Sequence, residues 1–445
     1  MKNKLSFGQF LPSPFALAIL LSFATFILAL FYTSNPDPSR PYIFTLLGFW
    51  EKGFWELLTF AMQMMLMLVL GNVLALTPAF NRLIDYLLRF ARSTASAVVL
   101  VSIISLLLAY LNWGLSLILS ALLAERIGNL ARKRHIELNY PLVGAAAYSG
   151  LMVWHGGFSG SAPLKVAEKG HFLYDTIGQI SPAETILSPM NLWVMAATLV
   201  LIPLMFYLMS KRKSGHYELS RISFDKAQHL KIIDKSASGA ERLDYYRWFS
   251  MALGLLMLVA VLLHFWQNPD LSALNINTIN LILFAFSLLL YPNLKSFTTS
   301  VSKAISNSTG IMLQFPLYAG IMGLMKYSGL TMVFTQFFIQ ISTAETFPLY
   351  AMISAGIVNF FVPSGGGQWA VQGPVLVEAA HNLGVSIPKT IMALAYGDEL
   401  TNMLQPFWAL PLLGITKLKA REILPYSAVL MLLGFVIYAA ALIIF

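Results

Sequence analysis

Cysteine is absent from all 445 residues, which excludes disulfides, zinc thiolate sites and thiol catalysis together. Charge is nearly as scarce. Asp, Glu, Lys and Arg make up 11% of the chain and hydrophobic residues 57%, whereas soluble domains carry roughly 25% charged residues. A polytopic membrane protein is implied. Neither HExxH nor GxSxG occurs, so two common signatures of hydrolytic enzymes are missing as well. A membrane-embedded enzyme would have to draw on His155, Asp398 and Glu399, and the chain reads as no enzyme.

What charge there is has a pattern. The net charge is +9, which in a soluble chain would suggest nucleic acid. Here 23 of the 29 Lys and Arg fall in Lys2–Lys4, Arg82–Arg92, Arg126–Arg134, Lys211–Arg247, Lys295–Lys303 and Lys417–Arg421, beside short loops. That is the positive-inside rule at work, and no nucleic-acid partner is expected. The apolar run ending at Phe31 is long enough to cross roughly 30 Å of hydrocarbon, and no small-residue cleavage pattern follows it. It reads as an uncleaved first helix with a cytoplasmic N-terminus, in a multi-pass protein of the inner (plasma) membrane.

Two stretches of the chain repeat one another. Aligned at Tyr148 and Tyr396, residues 145–164 (ending Ala162, Pro163, Leu164) match residues 393–412 (ending Leu410, Pro411, Leu412) without a gap. Asn112 precedes its tyrosine by 36 residues and Asn359 precedes its own by 37. Gln63 and Gln314 open comparable apolar segments further upstream. Long apolar segments broken by Asn, Gly, Pro and Ser at matching places in two halves are a signature of secondary transporters with a midplane site.

The charges also set a topology. If every apolar segment crossed once, the clusters Arg82–Arg92 and Arg126–Arg134 would lie on opposite faces. The conflict vanishes if 95–126 enters from the cytoplasm, turns at Asn112–Gly114 and leaves on the same side. Such a hairpin is allowed only where protein or a wet cavity satisfies its tip. A second hairpin, 347–383, then faces outward with its tip at Pro363–Trp369. The expected fold class is an all-α polytopic membrane protein with inverted structural repeats, about nine spanning helices and two re-entrant hairpins. Its parts are a first repeat over 1–209, a basic cytoplasmic linker over 210–246, an unpaired helix within 247–275 and a second repeat over 276–445.

Four interruptions should therefore meet near the bilayer centre: two tips and two helix breaks. The tips are Asn112–Gly114 with Ser116, and Pro363–Trp369; the breaks are His155–Pro163 and Asn402–Trp408. Broken helices expose N-terminal N–H groups and a positive dipole end that attract an anion. The candidate substrate groups are Asn112, Gly114, Ser159, Gly160, Ser161, Asn359, Ser364, Gly365, Gly366, Gly367, Gln368, Trp369, Asn402 and Gln405. No Lys or Arg lies in a predicted membrane core, which favours a monoanion over a dianion. Asp398 and Glu399 are the acidic exceptions. A carboxylate at the bilayer centre costs ~2.5–3.5 kcal/mol on insertion scales, so it marks function by default.

Asp398 shares a helix face with Asn402 and Gln405 and reads as the coupling carboxylate for H+ or Na+. Glu399, about 100° away around the helix, is the weaker candidate, and Asn112 and Asn359 complete the ion-coupling set. His155 reads as scaffold or proton relay, Glu125 and Glu378 as solvated caps. Trp154, Phe158, Trp369, Phe407 and Trp408 offer an apolar wall for a short acyl chain. No cofactor is expected beyond the coupling ion.

At Val362–Trp369 (VPSGGGQW) with Gln372–Pro374, at Ala395–Asp398 and at Gln405–Pro411, the chain resembles the bacterial short-chain fatty acid transporters, the acetoacetate and butyrate permeases. The likeness extends to Asn112–Gly114, Gly156–Ser161 and Ile276–Asn280. It implies a member of the ion transporter superfamily, with inverted repeats and two hairpins. It also implies a short monocarboxylate substrate, cation coupling, and dimers with an elevator-like movement. The Ser-Asn-Thr tripeptides of dicarboxylate members are replaced here by Leu-Asn-Trp and Val-Asn-Phe. A sodium-coupled dicarboxylate symporter is the alternative of the same fold.

Overall fold

The computed structural model describes residues 14–56, 58–167, 170–171, 173–212, 217–219, 222, 239–268, 276–305, 309–362 and 365–445. Most of the basic linker, with Pro363 and Ser364 of the second tip, lies outside these residues. Every regular element among the described residues is helical. The first half holds α1 (Pro14–Tyr32), α2 (Tyr42–Glu56), α3 (Leu58–Ala75), α4 (Pro78–Leu87) and α5 (Thr94–Leu111). It continues with α6 (Trp113–Lys133), α7 (Tyr140–Tyr148), α8 (Ser161–Lys165), α9 (Tyr174–Ile177) and α10 (Pro189–Ser210). After α11 (Arg247–Gln267) come α12 (Ile276–Leu290), α13 (Leu294–Ile305), α14 (Thr309–Tyr327), α15 (Leu330–Gln340) and α16 (Phe347–Asn359). The chain closes with α17 (Gly365–Leu383), α18 (Ile387–Asn402), α19 (Pro406–Thr416) and α20 (Ala420–Ile444). Six helices among the described residues are long and apolar enough to cross a membrane.

Local sequence explains many of the helix starts. Ser93, Asn112, Asn139, Ser188 and Ser386 each accept a backbone N–H of the helix they open, satisfying donors that have no partner inside the helix. Pro141, Pro189 and Pro388 follow in the first turn, where a missing N–H costs nothing. Glycine sets the closest crossing near the site. A Cβ on Gly397 would lie 2.1 Å from the Met352 carbonyl oxygen, so α16 and α18 touch backbone to backbone.

The helix packing has a paired pattern. Counting from the start of each half, α1 corresponds to α12, α2 to α13 and so on to α8 with α19. In those terms α1 packs on α14 and α12 on α3, while α2 packs on α14 and α13 on α3. Similarly α8 meets α17 and α19 meets α6. Gln63 joins the halves through its amide, which donates to Asn277 Oδ1 at 2.7 Å, and its carbonyl, which accepts from Asn280 at 3.0 Å. An open groove of about 660 Å³ lies there, between α3 and α12. The acidic cluster sits elsewhere and is enclosed.

Candidate functional site

Both predicted helix breaks are present, with unequal lengths. The second is short: α18 stops at Asn402 and α19 resumes at Pro406, whose ring forbids continuation. The first is longer and begins earlier than the predicted His155. α7 ends at Tyr148, and 149–156 winds through tight turns before α8 starts at Ser161. The cause is a serine ladder from the first hairpin. Ser105 Oγ donates to the Ala147 carbonyl and accepts from Gly150 N, both at 2.9 Å, while Ser116 Oγ donates to the Ser105 carbonyl at 2.7 Å. These bonds replace the intrahelical ones.

Breaking a helix frees carbonyls, and in a membrane each must find a donor. The two tyrosines that anchor the repeat meet this need, one directly and one through an asparagine. Tyr148 OH donates to the carbonyls of Asn402 at 2.7 Å and Gln405 at 3.2 Å, across the molecule. Tyr396 OH donates to Asn191 Oδ1 at 3.0 Å, and the amide of Asn191 donates to the Gly156 carbonyl at 2.8 Å. Tyr148 thus satisfies the other half's break, while Tyr396 holds the asparagine that satisfies the break of the first half.

Between the breaks lies the acidic cluster. His155 is 0% exposed, Asp398 and Glu399 1% each. The two acids approach His155 from different sides, which reconciles their 100° separation on α18. Glu399 Oε2 accepts from the backbone N–H of His155 at 3.0 Å, and Tyr438 OH also bonds this carboxyl. Asp398 Oδ2 lies 3.3 Å from His155 Nδ1, which is 3.2 Å from the Ala395 carbonyl. The far ring nitrogen, Nε2, lies 3.0 Å from Ser161 Oγ. Neither carboxyl group has a Lys or Arg partner among the described residues.

The second tip adjoins this ring. Gly365 to Gly367 form the first turn of α17, where the N–H groups have no acceptor within the helix. A Cβ on Gly365 would fall 2.0 Å from His155 Nε2 and 2.6 Å from Ser161 Oγ. Only glycine fits there. The N-terminal turn of α17 therefore packs against the far edge of the imidazole.

The remaining site candidates sort into two groups. Asn359, Asp398, Asn402 and Gln405 form one knot. The Asn359 amide donates to the Asp398 carbonyl at 2.7 Å, Thr401 Oγ1 at 2.9 Å and Asn402 Oδ1 at 2.8 Å, while Gln405 donates to the Asn359 carbonyl at 2.9 Å. Asn402 approaches Asp398 Oδ2 at 3.5 Å. Asn359 Oδ1, Asp398 Oδ1 and Gln405 Oε1 are buried in this knot with no donor among the described residues. Other candidates are turned to the scaffold. Asn112 caps α6, and Gly114 packs on Met67. Ser159 Oγ accepts from Trp113 N at 3.0 Å, and Gly160 lies against the His155 carbonyl. Gln368 donates to the Ala355 carbonyl and to Gln372 inside the second hairpin. Trp369 is buried against Gly373 of its own helix. Ser364 lies outside the described residues, as does the side chain of Phe407.

The aromatic surface beside the cluster comes from Trp113, Trp154 and Trp408, one from the first tip and one from each break. Their ring centroids are 5.5 to 6.4 Å apart. Trp154 also lies 3.8 Å from the His155 ring. Sequence reasoning placed Trp113 and Ser116 in the first tip without these roles, and it missed the bonds of the paired tyrosines and Ser105. The tyrosines had a signal, since they are the column on which the repeats align.

Known proteins place the chain in a family. The family model described as "Short chain fatty acid transporter" matches residues 3–445. A candidate short-chain fatty acid transporter of Escherichia coli (strain K12) is 35% identical over 439 residues, 98% of this chain and 97% of the relative. Its counterpart in Haemophilus influenzae (strain ATCC 51907 / DSM 11121 / KW20 / Rd) is 34% identical over 427 residues, covering 94% and 93%. The crystal structure of the Alcanivorax borkumensis YdaH transporter overlaps 96% of this chain and 98% of its own at TM-score 0.46 and 15% identity, too loosely to equate single helices. With a full-length family match and near-complete coverage of two relatives, the chain belongs to the short-chain fatty acid transporter family.

Proposed function

We propose that the protein is a secondary active transporter for short-chain fatty acids or related small monocarboxylates such as butyrate and acetoacetate, driven by a proton or sodium gradient. The observation that carries this reading is the seat beside His155. Glycine-paved N-terminal donors of α17 meet Ser161 and the imidazole, with three tryptophans alongside and no Lys or Arg bonded to the acids among the described residues. Helix N–H groups suit one carboxylate, and the indole rings suit a short acyl chain. A dicarboxylate would call for a second positive group.

The proposed setting is the inner membrane, with the N-terminus cytoplasmic. The two halves are read as inverted repeats carrying re-entrant hairpins at α5–α6 and α16–α17, and a homodimer is the proposed assembly. The matched packing of α1 and α2 on α14 and of α12 and α13 on α3 supports the repeat. The test is uptake of labelled butyrate into proteoliposomes under imposed proton and sodium gradients, one at a time. Accumulation under either supports the reading. Folded protein that accumulates dicarboxylates and ignores butyrate would replace it.

A further inference from the structure

Two carboxyl groups and one imidazole share an enclosed space where the halves meet. The polar groups facing them include Tyr110 from α5, Tyr396 and Asn402 from α18, Tyr438 from α20 and Ser161 from α8. None of these carries a compensating positive charge. On the same helices and on α17, Lys165, Glu378 and His381 are exposed, Lys389 lies in the first turn of α18, and Arg421 and Glu422 lie in the first turn of α20.

A buried charge is costly unless it is matched. The cluster is therefore most stable at zero net charge, which corresponds to two protons distributed among Asp398, Glu399 and His155. The imidazole edge away from Asp398 faces Ser161 and the start of α17, where a Cβ on Gly365 would come within 2.0 Å of Nε2. A monocarboxylate seated on the α17 donors brings a negative charge against the far side of that ring. Neutrality then requires one more proton.

We infer that the coupling ion is a proton, taken from solution onto the His155–Asp398 pair as the monocarboxylate binds, one proton for each substrate. This rests on the transport reading above and deepens it. The added proton forms an N–H or O–H bond within the pair, and the Nδ1–Asp398 contact of 3.3 Å holds it. Nε2 and Ser161 carry the effect to the substrate. Proton and substrate each raise the other's affinity, since linkage is reciprocal. Monoanion plus proton makes the cycle electroneutral.

Full-length purified protein is titrated with butyrate by calorimetry, in sodium-free buffers of different ionisation enthalpy. The expected result is uptake of about one proton per butyrate bound, by linkage, with affinity rising as pH falls. His155→Gln and Asp398→Asn should each bring the proton number near zero and flatten the pH dependence of affinity. A merely structural role would lower the melting temperature and leave the proton number unchanged, which overturns the inference. So does wild-type protein that binds butyrate without proton uptake and only with sodium, an outcome that leaves the transport reading standing. Wild-type protein that binds no butyrate overturns the transport reading itself. If the variants do not fold, the wild-type proton number decides alone.

Discussion

Replacing Gly365 by alanine places a methyl group where the His155 ring already is. The new Cβ would lie 2.0 Å from Nε2, while ordinary contact begins at 3.4 Å, so about 1.4 Å must be absorbed. The ring has little room to yield. Its Nδ1 edge faces Asp398 and Ala395, its backbone N–H is held by Glu399, and Trp154 lies against it. The start of α17 must move instead, taking the anion donors with it. Overpacking of this kind costs about 1–3 kcal/mol, and at the middle of that range butyrate affinity should fall about 30-fold. The adjacent glycine is the control for packing. A Cβ on Gly366 would meet Ser161 Cβ at 3.5 Å, an ordinary contact, so Gly366→Ala should leave the melting temperature unchanged. Titration of purified protein with butyrate, with tryptophan fluorescence on heating, reads both effects. Wild-type affinity and melting in Gly365→Ala would show that the tip does not rest on His155.

Two further outcomes test other parts of the argument. Tyr148→Phe removes the donor to two freed carbonyls and Tyr396→Phe the donor to one amide oxygen; at about 1–3 kcal/mol for a buried unsatisfied group, Tyr148→Phe should melt at the lower temperature, and equal melting would refute the cross-bracing. Glu378→Cys puts a single thiol at an exposed position of a cysteine-free chain. An impermeant thiol reagent should label it from outside intact cells, and labelling only from the cytoplasm would invert the proposed topology.

Much of the helical framework was legible because its punctuation is local. Asn112 both ends α5 and caps α6, and Pro406 enforces the second break. The first break was read late, at His155, because the serines that unwind 149–152 come from another segment of the chain. Glycines 365–367 were read as part of the second hairpin tip, and they prove to be the start of its second helix. Asp398 stood out as an acid in an apolar run, but nothing near it in sequence announces His155, more than 240 positions away. Glu125 was read as a solvated cap. It is 9% exposed, beside Arg126 at 3.8 Å, because α6 is covered on most sides.

The contact between α16 and α18 has a mechanical meaning. Gly397 meets Met352 without an intervening side chain, Thr401 Oγ1 donates to the Gly356 carbonyl at 2.9 Å, and Asn359 donates to the Asp398 carbonyl. Two helices whose backbones touch and are bonded crosswise have no soft layer in which to shear. The spacing between Asn359 and Asp398 is then set by backbone against backbone, a built-in ruler between the two. On the transport reading proposed above, alternation carries the pair whole, so selectivity and coupling travel as one piece of cargo.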